Sequence, residues 1–368
     1  MKIFCTQENL NQGLNIVSHL ASKSTTLPIL DNVLVKTEGG TIELSSTNLE
    51  MGISCQIRGK IEKPGKITVP AKLFADYVSL LPNEKISIEE SDKKIYIKCT
   101  DQETTIQGMS AEDYPLLPSL EKKNKIQLNV EELKEAIRET IFAAAYDETR
   151  PEISGVLMKI REKEIRLVAT DSYRLAEKVI KIEKKQDLET ETILPIKTLQ
   201  ELIRILSIST VENLEVYLAE NQALFCLDEI EIISRAIEGS YPDYQQIIPK
   251  EYKTRIIANK EDLIKTIKTT SLFARSGVND INIKIRPNQK EMVVSAVNAQ
   301  LGENVSRLEA VTEGEENEIV FNYRYLLDGL QNITSEKVVL EIINNTNPGV
   351  IRPEEKVDYL YIIMPIKQ

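Results

Sequence analysis

Four consecutive side chains in the run IRLVATDSYRLAEKV (165–179), Thr170, Asp171, Ser172 and Tyr173, bring two hydroxyls, a carboxylate and a phenol together directly after a strand-like stretch. Such groups can act as nucleophile, base and proton donor if a general base and oxyanion donors converge on the same point. For a nucleophilic triad the base would have to be His19, the one histidine in the chain. It falls at the end of the first helical pattern with no Asp or Ser at a suggestive spacing, and reads as a helix C-terminal histidine favoured by the dipole. An aspartic-protease pair would need two Asp-Thr/Ser-Gly turns, and Asp171-Ser172-Tyr173 is not one. The stretch GKIEKPGKI (59–67) has one residue too many between its glycines for a phosphate-binding loop and ends in Ile, so it reads as a hairpin turn. No GxGxxG occurs, and the acidic pairs Glu89-Glu90, Glu131-Glu132 and Glu315-Glu316 fall on turns or first helical turns, where solvation explains them. No base, nucleophile and oxyanion donors gather anywhere, and a non-catalytic scaffold is expected, with no cofactor and no metal.

The elements around the polar run explain it better. Its context recurs in IELSSTNLEMGI (42–53) and MVVSAVNAQLGENV (292–305); aligned on Asn48, Asp171 and Asn298, the intervals are 123 and 127 residues. Two of the three aligned residues cannot ionise, which itself removes the dyad. ITVPAKLFADYVSLL, TILPIKTLQELIRIL and IVFNYRYLLDGLQNI each pass from a β-branched stretch into an amphipathic helix, with Pro70, Pro195 and Asn322 in register at 125 and 127. Proline at a helix start loses no hydrogen bond, and Asn is a good cap. Near each unit's start a strand gives way to Thr6, Asn129 or Asn259 as N-cap, with acidic residues in the first turn and an apolar stripe such as Leu133, Ile137 and Ile141. Three signals sharing one period identify a tandem triplication.

Between the helices, KISIEESDKKIYIKC, LEVYLAENQALFCL and VVLEIINNTNPGVIRP alternate as strands around polar turns. Each unit therefore reads strand, helix, several strands, helix, several strands: an α+β domain with antiparallel sheets outside and two helices sharing one face. Polar joints near 117–125 and 247–255 predict domains 1–122, 123–251 and 252–368.

Composition sets outer limits. Of the 368 residues 42% are hydrophobic and 28% charged, with no Trp, as expected of a globular chain whose core is filled by Ile and Leu. Cys5, Cys55, Cys99 and Cys226 form no CxxC pair, which argues for buried thiols in a reducing cytosol over a zinc site or disulfide framework. No signal-peptide core and no run of 18 apolar residues is present, so neither export nor membrane insertion is expected. A net charge of −11 disfavours nucleic-acid binding by blanket attraction. Yet Lys72; Lys134 and Arg138; Lys197 and Arg204; Lys260, Lys265 and Lys268; and Arg324 put cations on the predicted helices of every unit. Repeated units can pack into an arc, and two arcs joined head to tail close into a ring. A basic lining inside an acidic exterior would then hold a phosphate backbone without reading bases.

In order and at matching spacing, LPILDNVLVKTEGGTIELSSTNLEMGI, VATDSYRLAEKV, EGSYPDYQQIIPK, FNYRYLLDGL and the terminal YLYIIMPIKQ resemble the bacterial sliding clamps, the beta subunits of DNA polymerase III, across the full length. The resemblance implies a non-catalytic processivity factor: a homodimeric ring of six similar domains, helices inside, that encircles double-stranded DNA in the cytoplasm and serves the replicative DNA polymerase, the clamp loader and other clamp-binding-motif proteins. It places a hydrophobic pocket for a glutamine- and leucine/phenylalanine-containing peptide at Ile153, Thr170, Ser172, Tyr173, Arg174, Leu175, Pro242, Gln246, Ile247, Ile363, Met364, Pro365 and Ile366. Ser172-Tyr173 and Gln246 depart from the family's frequent Gly-His and Arg, which makes the rim larger and less charged. DNA contacts carry over to Lys72, Lys134, Lys197, Arg204 and Lys265, with Arg150 from a less well matched loop and Lys23 beside Ser24, where the family's early arginine is replaced. The dimer joint would set Ile106 against Leu272 and Phe273. The alternative is a β-rich repeat hydrolase or carbohydrate-binding protein.

Overall fold

Three local rules set the architecture. A short strand ends at a residue whose side chain caps the first helix of the repeat, each helix buries one apolar stripe, and antiparallel strands return through polar turns. In the computed structural model, which describes residues 1–21, 27–147, 149–185 and 189–367, this plan is executed three times. The first repeat runs β1 (Lys2–Thr6), α1 (Gln7–Val17), β2 (Asn32–Glu38), β3 (Thr41–Thr47), β4 (Met51–Ile57), β5 (Lys60–Lys63), β6 (Gly65–Pro70), α2 (Ala71–Ser79), β7 (Lys85–Ser91), β8 (Lys94–Cys99) and β9 (Gln102–Gln107). The second runs β10 (Ile126–Asn129), α3 (Val130–Ile141), β11 (Gly155–Arg161), β12 (Glu164–Thr170), β13 (Arg174–Lys181), β14 (Thr190–Pro195), α4 (Ile196–Ile208), β15 (Asn213–Ala219), β16 (Gln222–Leu227) and β17 (Ile230–Arg235). The third runs β18 (Thr254–Asn259), α5 (Lys260–Ser271), β19 (Asp280–Arg286), β20 (Glu291–Asn298), β21 (Gly302–Glu309), β22 (Val311–Gly314), β23 (Asn317–Asn322), α6 (Tyr323–Asn332), β24 (Lys337–Ile342), β25 (Gly349–Pro353) and β26 (Tyr359–Ile363).

The caps form as the sequence predicts. Thr6 accepts the Asn9 N–H at 3.2 Å, Asn129 that of Glu131 at 3.0 Å, Asn259 that of Asp262 at 3.2 Å and Asn322 that of Arg324 at 3.0 Å. Leu133 and Ile137 are fully buried, while Ile141 at the helix end is half-buried.

The chain divides into two compact units, Met1–Glu131 with Lys197–Ala236, and Glu132–Ile196 with Ile237–Gln368, so the middle repeat is shared between them. Backbone pairing gives the reason. In the first unit β17 pairs antiparallel with β4, Ile232 opposite Ile53, which makes the middle repeat's β10-β15-β16-β17 continuous with β4-β3-β2-β6 of the first. In the second, β13 pairs with β26, Leu175 opposite Ile362, inside the sheet β14-β11-β12-β13-β26-β25-β24-β18-β22. The smaller sheets are β5-β1-β7-β8-β9 in the first unit and β21-β20-β19-β23 in the second.

GKIEKPGKI is a corner rather than the expected hairpin. β5 pairs with β1 and β6 with β2, in different sheets, because Pro64 interrupts the run and Gly65 passes against Met1. The four cysteines are buried thiols. Burial pushes the Cys5 thiol up to about 12; burial, then the Glu229 charge, push Cys55 up to about 11. Among the described residues no helix is long and apolar enough to cross a membrane, and no His/Cys/Asp/Glu cluster could hold a metal ion.

Candidate peptide-binding and nucleic-acid interfaces

The polar run is a turn. Asp171 Oδ1 accepts the N–H groups of Tyr173 and Arg174 at 2.9 and 3.0 Å, and Oδ2 accepts Arg174 Nε at 2.9 Å. Thr170 Oγ1 accepts the Ser172 N–H and donates to the Arg174 carbonyl at 2.6 Å, while Ser172 takes a left-handed φ of 77°. Both carboxylate oxygens of Asp171 thus accept hydrogen bonds from its own turn.

Around that turn the second unit brings together most residues that the resemblance assigned to a pocket. Met364 donates its N–H to the Tyr173 carbonyl at 2.8 Å and Ile366 to that of Val320 at 2.8 Å, so the tail lies along the turn with Met364 exposed and Pro365 and Ile366 half-buried. The segment after β17 joins from the other side. Tyr241 donates to the Val168 carbonyl at 3.2 Å and Tyr244 to Glu177 at 2.5 Å, and both rings pack with Leu157, Val168, Leu175, Ile193, Val350 and Ile362. Burial and the Glu177 carboxylate push the Tyr244 phenol upward. Pro242 is half-buried and Ile247 exposed beside them, and Gln246 donates to Asp243 at 2.8 Å.

Several assigned residues serve the wall from behind. Leu175 and Ile363 are fully buried, as is Ile153 in the turn before β11, so they are core, the alternation of a two-sided sheet leaving them no path to solvent. Arg174 is 8% exposed. It is paired with Asp171 and Asp328, and its guanidinium lies 4.7 Å from the Tyr325 ring centroid and 5.7 Å from that of Phe142. Burial pulls its pKa down, and the surrounding acidic and phenolic groups outweigh this, for a net upward shift. Arg174 therefore braces the turn and is not a free rim charge. Tyr173, 63% exposed, stacks on Tyr325 at 6.4 Å. The sequence reading missed Tyr325, Asp328, Phe142, Tyr241, Tyr244 and Ile362; the i, i+3 pair Tyr325/Asp328 on one face of the helix was the available signal.

The basic candidates separate into two groups. Arg204, assigned to DNA, is engaged within the first unit: Nε and Nη2 donate to Glu201, Nη1 to the Asn15 carbonyl at 2.9 Å and Nη2 to the Ile16 carbonyl at 2.7 Å. It supplies the positive end that α1, with no basic residue in its last turn, lacks. His19 completes the same knot, its Nδ1 2.8 Å from Glu201 Oε2. Lys260 likewise caps α6 by donating to the Ile333 carbonyl at 2.9 Å. Arg150 donates to Ser172 at 2.8 Å and pairs with Glu152, which places it beside the Thr170–Arg174 turn. Lys134 is half-buried, and Lys23 lies outside the described residues.

Lys72, Lys197 and Arg324 are exposed, and each is the second residue of the second helix in its repeat. A cation there opposes the helix dipole, by about 0.3–1 kcal/mol. The first helices of the repeats do the reverse, opening with Glu8, Glu131-Glu132 or Glu261-Asp262. Helix stability thus accounts for the acidic starts and not for the basic ones. Arg138, Lys265 and Lys268 are exposed as well.

At the assigned joint, Ile106 is 5% exposed and pairs with Ile95 across β8–β9, so its side chain belongs to the first unit's core and is not an exposed apolar contact. Leu272 is 71% exposed and Phe273 half-buried. Exposed Val297, Leu301 and Val305 line the β20–β21 hairpin, and β21 is a sheet edge, as is β9 in the first unit. An apolar open edge is an association surface.

Three sequence models match in tandem: DNA polymerase III beta subunit, N-terminal domain at 1–118, central domain at 127–243 and C-terminal domain at 245–367. The chain is 31% identical to the beta sliding clamp of Synechococcus elongatus over 100% of this chain and 99% of that one, and 30% identical to that of Bacillus subtilis over the whole of both. The crystal structure of the Bacillus subtilis DNA polymerase sliding clamp matches with a TM-score of 0.94 at 29% identity over 100% and 99% of the two chains. That of the Pseudomonas aeruginosa DNA polymerase III beta subunit matches with 0.95 at 25% over the whole of both. Nothing in these relatives supports a hydrolase or a carbohydrate-binding protein. With three clamp domains in tandem and relatives of this similarity over its full length, the chain belongs to the DNA polymerase III beta subunit family, the beta sliding clamps.

Proposed function

We propose that the chain, divided as 1–122, 123–251 and 252–368, pairs with a second copy into a ring that surrounds duplex DNA in the cytoplasm. In that role it is a non-catalytic processivity factor for the replicative polymerase and is handled by the clamp loader. The observation that carries this reading is the exposed cation at the second position of the second helix in all three repeats. Lys72, Lys197 and Arg324 oppose their own helix dipoles, yet a phosphate near each helix start would be met by the side chain. Such contacts are weak and salt-screened, which permits sliding, while escape requires an interface to open. The ring closes in this reading where β21, Leu272, Val297, Leu301 and Val305 of one copy meet the β9 edge of the other. Partners carrying a glutamine- and leucine/phenylalanine-containing peptide dock between Tyr173, Pro242, Ile247 and Met364, where a flexible methionine suits several side chains.

Retention on circular DNA tests the ring, because an encircling protein runs off ends: loss after linearisation is expected, and equal retention on both forms overturns the reading. A sedimentation mass of one chain at low micromolar concentration would also count against it. Met364→Ala with Pro365→Ala should abolish polymerase stimulation with the dimer intact; dissociation instead would make the tail structural.

A further inference from the structure

Strand β13 carries buried charge on both faces. Its odd residues face the apolar cluster, where Leu175 is core and Glu177 meets Tyr244 and Arg166. Its even residues Arg174 and Lys178, four apart and so on one face, meet the helices. Lys178 is 4% exposed, and Nζ lies 2.7 Å from Glu139 Oε2 on α3 and 3.2 Å from Asp358 Oδ2, the residue before β26. Glu139 is 2% exposed. The Val179 N–H donates to the Asp358 carbonyl at 2.8 Å, and Lys178 pairs with Tyr359 in the ladder that ends at Arg174 opposite Ile363. One ammonium thus ties together a helix, the strand that leaves the Thr170–Arg174 turn, and the strand that runs into the Met364–Ile366 tail.

This knot is poorly explained by stability alone. A buried ion pair recovers little of its desolvation cost, and an apolar set of similar volume often serves as well or better. Here Glu139 Oε2, although within ion-pair distance of Lys178 Nζ, Asp358 Oδ1 and the fully buried Tyr359 hydroxyl have no hydrogen-bond partner among the described residues, so the cluster carries unsatisfied polar atoms too. What one ammonium held between two carboxylates supplies and apolar contacts do not is a fixed register between β26 and its neighbours. Glu135 on α3 adds to it by accepting from Lys356 at 3.2 Å.

We propose that Lys178 is a positioning residue of the peptide-binding wall: it holds β26 against β13 and α3 so that the tail Met364–Ile366 lies on the Tyr173 carbonyl, without itself touching a partner. The proposal rests on the peptide-pocket reading above. Removing the lysine alone strands a buried carboxylate and lowers stability, so the working variant is Lys178→Met with Glu139→Leu, in which Asp358, 36% exposed, remains solvated.

Three measurements on the full-length protein decide it: the melting temperature, amide exchange at Met364 and Ile366, and anisotropy of a labelled hexapeptide carrying one glutamine and a leucine-phenylalanine end. The double variant should keep the fold, exchange faster at both amides, and bind the peptide roughly 3- to 30-fold more weakly, chiefly through faster dissociation. Unchanged affinity and unchanged exchange in a folded double variant overturn the proposal. Should that variant not fold, Asp358→Asn gives the same readings with a smaller change expected, and a wild-type affinity there overturns it as well. Met364→Ala/Pro365→Ala in the same assay separates the two claims. If it binds like the wild type, the pocket reading fails; if it loses the peptide while the Lys178 variants do not, only the positioning role does.

Discussion

The turns Thr47–Met51 and Thr170–Arg174 share one backbone and differ in what hangs on it. In the first, Thr47 Oγ1 donates to the Met51 carbonyl at 2.9 Å, Asn48 Oδ1 accepts the N–H groups of Glu50 and Met51 at 3.1 and 2.8 Å, and Leu49 has φ 76°. Every one of these has its match at Thr170, Asp171 and Ser172. The third copy departs slightly: Asn298 accepts from Gln300 and Leu301, and the left-handed position passes to Gly302 with φ 106°. In the first repeat the residue after the turn is buried Met51; in the second it is Arg174, paired with Asp171 and Asp328 under Tyr325. The same turn carries no cation with Asn48 and Met51 and anchors a buried one with Asp171 and Arg174. The carboxylate that looked catalytic is a turn acceptor whose second oxygen was recruited to hold a buried cation.

This contrast can be broken by substitution, read as urea unfolding free energies. The largest effect is expected from Asp171→Ala, which frees two backbone N–H groups and removes one anion from a buried guanidinium, a loss of about 3 kcal/mol; a value near that of Asn48→Ala would show that the ion pair adds nothing. Asp171→Asn keeps the Oδ1 bonds and loses the charge, about 2 kcal/mol, whereas Asn48→Asp, with no cation at Met51, should stay within about 0.5 kcal/mol of wild type. Asn48→Ala should cost about 1 kcal/mol. Leu49→Gly relieves a left-handed backbone and should stabilise by up to about 1 kcal/mol; Ser172→Gly, which also loses the bond from Arg150, should gain less.

The smallest effect is a pH dependence in the third repeat, where Asp280 pairs with Arg275. Burial pushes the Asp280 carboxyl up, but the hydrogen bond and charge of Arg275 outweigh it and hold it below its ordinary value. Its stabilisation is therefore complete above the unfolded value of about 3.9 and is lost as pH falls through the lower folded one. Asp280→Asn should flatten that acid limb, and an unchanged limb would remove the pair from the account.

A good part of this was legible in the sequence, residue by residue. Thr6, Asn129, Asn259 and Asn322 announced their helices because a cap is decided by the next two or three N–H groups. The hairpin at Asp92-Lys93, where both residues take positive φ, was readable from alternation on either side of a polar turn. The tight seat of α6 on β26 was not: a Cβ at Gly329 would lie 2.2 Å from the Tyr361 ring, a contact between residues 32 apart. Nor was the sheet change at Pro64-Gly65, since which strand each half pairs with depends on β1 and β2. Around the Thr170–Arg174 turn, Tyr173, Ile247 and Met364 could be grouped by motif, but the motif did not say that Leu175 and Ile363 face inward.

By itself the sequence determined the triplicated plan, the starts of the helices and the alternation of the strands, because each rests on interactions within a few residues or on comparison of one repeat with another. Tertiary structure alone decided which charges remain available. Arg204 is taken up by carbonyls almost two hundred residues away in the chain and Lys178 by Glu139 and Asp358, whereas Lys72, Lys197 and Arg324 stay in water. A cation's availability depends on which acceptors the folded chain carries within reach, and distance along the chain does not encode that.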